Sequence, residues 1–224
     1  MRNKKSKVLV IALIISLIAI ITVGSLAWFT AKDDVTNTLK FEDNFSIDVY
    51  ETDETGAAIV DESGKTVGKT YENIMPGQEI HKDPTVWNNG DQPEWVRVTV
   101  TLDDGLTWMN IMAANGKTEV NLADFFKGYE ESKWTCTVHR RISPDIVSGD
   151  RSVSWVFYLN NKLAANAKET LFTDVVIPEE LTKEQAESLH GAFTIKVEAE
   201  AIQADYLPAG VDTAQEAFAL LEKN

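Results

Sequence analysis

Trp95-Val96-Arg97-Val98-Thr99-Val100-Thr101-Leu102 is the stretch whose reading decides the fold. Val96, Val98, Val100 and Leu102 fall on one side of an extended chain, while Arg97, Thr99 and Thr101 fall on the other. That period of two, in a run rich in β-branched residues, predicts a strand with one face in a core. Its regularity predicts a central position in a sheet. A second run repeats the pattern near the other end of the chain: Phe193, Ile195, Val197, Ala199 and Ala201 alternate with Thr194, Lys196, Glu198 and Glu200. Further strands are predicted at 134–140 and 152–159, separated by the turn signals Ser143-Pro144-Asp145 and Ser148-Gly149-Asp150. A chain of this kind is mainly β, and its length suits one all-β domain or two small ones.

Working outward from these strands, Pro76-Gly77 suits a type II turn, and Asn88-Asn89-Gly90-Asp91 supplies another turn or bulge. Between them residues 79–87 run extended and are broken by Pro84, which lacks an amide donor and so fits a sheet edge. Residues 52–65 read as a hairpin or edge excursion around Gly56 and Gly64. Residues 103–134 show no clear period; Asn121 is placed to cap a short helix through Phe126, ending by Gly128. Residues 163–178 read as a loop leading into a strand. Thr182-Lys183-Glu184-Gln185 and Thr213-Ala214-Gln215-Glu216 have capping-box spacing. The second should open a terminal helix whose Ala217, Phe218 and Leu221 form an apolar stripe for packing.

The first fifty residues carry a different message. A basic segment with Arg2, Lys4, Lys5 and Lys7 precedes an apolar run over 8–23, and Ser25 and Ala27 stand at positions −3 and −1 of a possible cleavage site. Cutting there removes 1–27 and leaves Trp28 as the new N-terminus. The 24 uncharged residues from Val8 to Ala31 also exceed the ~20 that a helix needs to cross hydrocarbon, so a retained anchor is the alternative. Beyond the junction Val35, Leu39, Phe41, Phe45, Ile47 and Val49 all occupy odd positions. They form the apolar face of an extended segment, with a break near 42–44 that divides a leading strand from the next.

Composition narrows the function. The 224 residues carry a formal charge of −14, and removing 1–27, with its four basic and no acidic side chains, leaves 197 residues at −18. Such a surface repels nucleic acid and anionic headgroups. A single cysteine, Cys136, rules out an internal disulfide framework. Its alternating surroundings make it a small buried hydrophobe rather than a reactive thiol.

Leu26-Ala27-Trp28-Phe29-Thr30-Ala31-Lys32-Asp33-Asp34-Val35-Thr36-Asn37-Thr38 resembles the N-terminal tag of Gram-positive proteins processed by a SipW-type signal peptidase, the TasA/camelysin family of biofilm-matrix and surface proteins. Pro76-Gly77, Lys82-Asp83-Pro84, Asn88 with Gly90, and Val96-Arg97-Val98 resemble consecutive strands of that family. Leu171-Phe172 with Val175-Val176-Ile177-Pro178, and 199–205, are similar to its last two. The resemblance is patchy and does not reach 103–134. It implies a jelly-roll-like antiparallel β-sandwich with short helical insertions and a C-terminal helix. It implies a signal peptide at 1–27, a donor-type strand at 28–43 and a sandwich domain at 44–224. The function implied is that of a secreted structural subunit of extracellular matrix fibres at or beyond the cell surface. The alternatives are a membrane-retained or monomeric surface protein, or a camelysin-like metallopeptidase.

The residues argue for assembly and against catalysis. His81, His139 and His190 are far apart, and no His-Glu-x-x-His spacing puts two imidazoles on one helical face. Asp103-Asp104-Gly105 and Asp53-Glu54 lack the ligand pattern of a calcium loop. Leu207-Pro208-Ala209-Gly210 lacks the hydrophobic span and basic tail of a wall-sorting signal. The tryptophans at 87, 95, 108, 134 and 155 suit packing better than a sugar platform. No enzyme activity, metal or cofactor is expected. An apolar strand freed by cleavage can add to a neighbour's sheet edge, with main-chain bonds giving affinity and alternate side chains giving register. Phe29 to Phe41 is the expected donor, with Val35, Leu39 and Phe41 as anchors; equally, it can complete its own domain. Expected partners are further copies of the chain, the SipW-type peptidase and other matrix proteins.

Overall fold

The computed structural model describes residues 30–34, 37–38, 45–71, 74–103, 105–114, 122–137, 152–179, 181–182, 184, 194–205 and 207–222. They form an antiparallel β-sandwich of jelly-roll type with short helical insertions and a C-terminal helix. The strands are β1 (Thr30–Asp34), β2 (Asn37–Thr38), β3 (Ile47–Tyr50), β4 (Glu79–His81), β5 (Thr85–Asn88), β6 (Glu94–Leu102), β7 (Phe126–Lys127), β8 (Trp134–Thr137), β9 (Val153–Leu159), β10 (Lys168–Thr170), β11 (Asp174–Val176) and β12 (Ile195–Gln203). The helices are α1 (Gly105–Ala114) and α2 (Ala214–Leu221). One layer is a six-stranded sheet in the order β2-β1-β12-β6-β9-β8; the other comprises two three-stranded sheets, β10-β5-β3 and β4-β11-β7.

The two regular sequence runs become the centre of the large sheet. β6 and β12 pair over nine residues, from Ile195 opposite Leu102 to Gln203 opposite Glu94, and β9 flanks β6 on its other side. Val96, Val98, Val100 and Leu102 point between the layers, where they are buried with Val197, Ala199, Ala201, Phe157 and, from the second layer, Ile47, Val49 and Val86. Phe126 is the aromatic hub of this core. Its ring stacks on Phe172 at 4.4 Å and meets Trp155 edge-on at 5.5 Å. Each such side chain contributes roughly 1.5–3 kcal/mol on burial.

The second layer is built by two chain segments that change sheet together. β4 and β5 lie in different sheets, as do β11 and β10, and the two connections run side by side. Lys82 N–H donates to Thr173 O at 3.1 Å and Leu171 N–H donates to Pro84 O at 3.0 Å. Pro84 therefore stands at a corner between sheets, not on an edge strand, because β5 is the middle strand of its sheet. A corner accommodates a residue without an amide donor as well as an edge does. Nearby, Gly128 has φ +75°, and a Cβ there would lie 2.4 Å from Thr173 Oγ1.

The described part of 103–134 holds more regular structure than its sequence suggests. Gly105–Ala114 is a helix, GLTWMNIMAA, whose nearly continuous apolar character hides a 3.6-residue period. The helix expected over 122–126 is only a single 3-10 turn at Leu122–Asp124, since Phe126 leaves it to pair in β7. The excursion at 52–65 holds an eight-residue repeat, Asp-Glu-Thr-Gly then Asp-Glu-Ser-Gly. In each copy the aspartate Oδ1 accepts from the backbone and hydroxyl of the residue two ahead, at 2.8 and 2.6 Å, and from a third donor four ahead at 3.1 Å. These bonds hold both carboxyls below the usual aspartate range. Pro76-Gly77 forms its turn, with Gly77 at φ +75° and Gln78 N–H donating to Met75 O at 3.1 Å. Most of the helix expected after Thr182 lies outside the described residues.

Candidate assembly edge

At one side of the large sheet β12 receives β1, the first described segment of the chain. Thr30 stands opposite Ile202, Lys32 opposite Glu200 and Asp34 opposite Glu198. β1 then pairs back with β2, Asp33 opposite Thr38 and Asp34 opposite Asn37, so the leading segment folds as a hairpin rather than running on as one strand. The polar Asp33-Asp34 and Thr36-Asn37 on either side of Val35 are turn-forming residues. β1 covers Glu198 to Ile202 of the nine-residue β12. At the opposite side the sheet ends in β8. Of the residues assigned to cleavage and assembly, Ser25, Ala27, Trp28, Phe29, Val35, Leu39 and Phe41 lie outside the described residues.

Behind this edge β6 carries two ionisable groups three residues apart. Glu94 continues the inward phase of Val96, Val98 and Val100 and is fully buried. Neither of its side-chain oxygens meets a donor with good hydrogen-bond geometry. Burial pushes the Glu94 carboxyl up to about 8, the Ser46 backbone amide offsetting only part of that. Its neighbour Asn88, equally buried, is fully engaged. Asn88 Nδ2 donates to Gln92 O at 2.7 Å and Leu163 O at 3.0 Å, and its Oδ1 accepts from Gly90 N–H at 3.0 Å.

Arg97, on the other face, donates from Nε to Glu200 Oε2 at 2.8 Å and from Nη1 to Glu222 Oε1 at 2.9 Å. Its guanidinium lies 4.4 Å from the Phe218 ring centre. Phe218 belongs to α2, which packs with Ala214 and Ala217 on Trp95, Tyr158, Ile202 and Ala204. The helix opens with the expected capping box: Glu216 N–H donates to Thr213 Oγ1 at 3.2 Å and Thr213 N–H to Glu216 Oε2 at 3.1 Å.

A second buried polar group joins the ends of β3 and β4. Lys82 Nζ donates to Glu51 Oε1, and both side chains are about nine-tenths buried. Asp83 accepts from Thr52 N–H at 2.8 Å and from Thr52 Oγ1 at 2.5 Å. Tyr71 closes over the group, donating to His81 O at 2.5 Å; burial, with the fields of Glu51 and Asp83, pushes its phenol up to about 12. Reading by motif missed Glu51, Lys82 and Glu94 as buried charges. Parity identifies them, since each extends an inward row: Ile47-Val49-Glu51, Ile80-Lys82 and Glu94-Val96-Val98.

The remaining candidates fall into place separately. His81 is half exposed, 3.8 Å from both Asp83 and Asp174, while His139 and His190 lie outside the described residues. Among the described residues no group of three or more His, Cys, Asp and Glu side chains is placed to hold a metal ion. Trp95, Trp108, Trp134 and Trp155 are core residues. Trp87 is half-buried with Lys168 lying 4.8 Å from its ring centre. Cys136 is a free thiol, half-buried on β8, and burial pushes it up to about 11. Among the described residues no helix is long and apolar enough to cross a membrane. Comparison of the chain with protein-family models, with curated proteins and with solved structures gives no match.

Proposed function

We propose that the chain is a secreted structural subunit that assembles head to tail into extracellular matrix fibres through the strand that follows its N-terminal apolar segment. The observation that carries this reading is the place of β1: directly after a secretory-type sequence, and attached along β12 at one side of the sheet. Main-chain pairing of that kind is indifferent to whose strand supplies it, so β12 can accept β1 from its own chain or from another copy. Donor and acceptor differ, so the intermolecular contact propagates. The SipW-type peptidase would release the strand, and no catalytic step is needed afterwards.

The pairing of β1 with β12 in its own chain favours a second reading, a monomeric surface protein whose N-terminal strand completes its sheet. One experiment separates them: sedimentation and negative-stain microscopy of protein beginning at Trp28 beside protein beginning at Asn44. Filaments from the first and monomers from the second are expected. Monomers from both would refute self-assembly, and filaments from both would remove β1 as the polymerising element.

A further inference from the structure

Among the ion pairs of the described residues, Lys82–Glu51 is the most deeply buried. Lys127 and Glu79 also pair, but both are half exposed and keep their charges in water. The Lys82–Glu51 pair lies between the layers, and Glu51 Oε2 has no hydrogen-bond partner. Burying two charges is costly, and attraction offsets this only where the remaining lone pairs are satisfied. The backbones on either side are fixed. Thr52 is tied to Asp83 by two hydrogen bonds, Glu51 O accepts from Ile59 N–H at 2.9 Å, and Lys82 N–H donates to Thr173 O at 3.1 Å. A small recess lined by Val49, Thr66, Val67 and Val197 adjoins Glu51.

We infer that Lys82 and Glu51 are a self-condensing pair that forms an isopeptide bond between the end of β3 and the corner after β4. A proton passes from Nζ to the carboxylate as the step begins, which frees the amine lone pair beside the carboxyl carbon. The amine lone pair attacks Glu51 Cδ and the C–N bond forms. One carboxyl oxygen then leaves with two protons as water, and the recess gives it somewhere to go. Nothing is oxidised or reduced. The product is one neutral amide in place of two buried charges. It ties the end of a strand in one three-stranded sheet covalently to the corner through which the chain arrives from the other, in a chain whose single cysteine allows no internal disulfide.

The test is the intact mass of the purified chain under denaturing conditions, followed by peptide mapping. Expected is a mass lower than that of the sequence by one water, with the peptides containing Glu51 and Lys82 recovered as one branched species. The peptides containing Glu79 and Lys127 should appear unlinked in the same digest, as an internal control. Lys82→Arg should restore the full sequence mass. A wild-type mass equal to that of the sequence, with the two peptides separate, overturns the inference. So does a loss of water that persists in Lys82→Arg. The wild-type map decides the matter even where the variant does not fold.

Discussion

Glu94 and Arg97 sit three residues apart on β6, and the molecule treats them in opposite ways. Arg97, on the outer face, is given two carboxylates and an aromatic ring. Glu94, on the inner face, is given nothing that fully compensates its charge. The difference follows from what covers each face. The outer face is capped locally by one eight-residue helix, which brings its own polar residue, Glu222, to the rim. The inner face meets a second layer of apolar side chains, and among the described residues no cation is placed there to answer the Glu94 carboxylate. The two faces therefore respond to different perturbations.

The largest expected effect is on pH dependence. The Glu94 carboxyl stands near 8 folded against an ordinary 4.5, so the folded state holds a proton that the unfolded state has lost in between. Its contribution is complete below about 4.5 and is lost as pH rises toward 8, an effect of roughly 3–5 kcal/mol. Denaturant midpoints measured from pH 5 to 9 should fall in the wild type and fall much less in Glu94→Gln. Parallel curves would show that Glu94 is compensated after all, and the contrast with Arg97 would disappear.

A smaller effect distinguishes the two cores. Phe126→Ala removes the hub of the inner face and should cost about 4 kcal/mol in global unfolding. Phe218→Ala on the outer face should cost about 2–3 kcal/mol, because α2 can loosen without opening the sandwich. Hydrogen exchange should show Phe218→Ala deprotecting α2 while β6 and β12 stay protected. Equal loss of protection in both regions would mean that the outer cap and the inner core are one cooperative unit. Smallest of all, Thr213→Ala removes one half of the capping box and should cost about 1 kcal/mol by thermal unfolding. A null result there would show that packing of Ala217 and Phe218 alone holds the helix.

The outer cap was legible in the sequence because both its signals are local: a Thr-x-x-Glu box and an apolar stripe four residues on. The two central strands were legible because a period of two over eight or nine residues leaves no other reading. What escaped has physical causes. α1 is apolar nearly throughout, so its helical period is masked. The corner at Lys82-Asp83-Pro84 looked like an edge because the same missing donor fits both, and the local sequence does not say which sheet comes next. The buried charges were overlooked at the ends of strands, where polar residues usually mark a turn. Their parity with Val49, Ile80 and Val96 carried the information. The assignments at 25–29, 35, 39 and 41 rest on sequence alone.

Cys136 has a consequence for the assembly proposed above. With its thiol near 11, only about one molecule in ten thousand carries the thiolate at neutral pH, some hundreds of times fewer than for an ordinary cysteine. The thiolate is the species that exchanges with disulfides. Crowded in an oxidising medium, neighbouring chains would therefore be slow to become bonded through β8. Contacts made along sheet edges would remain free to break and re-form, and a misplaced copy could leave.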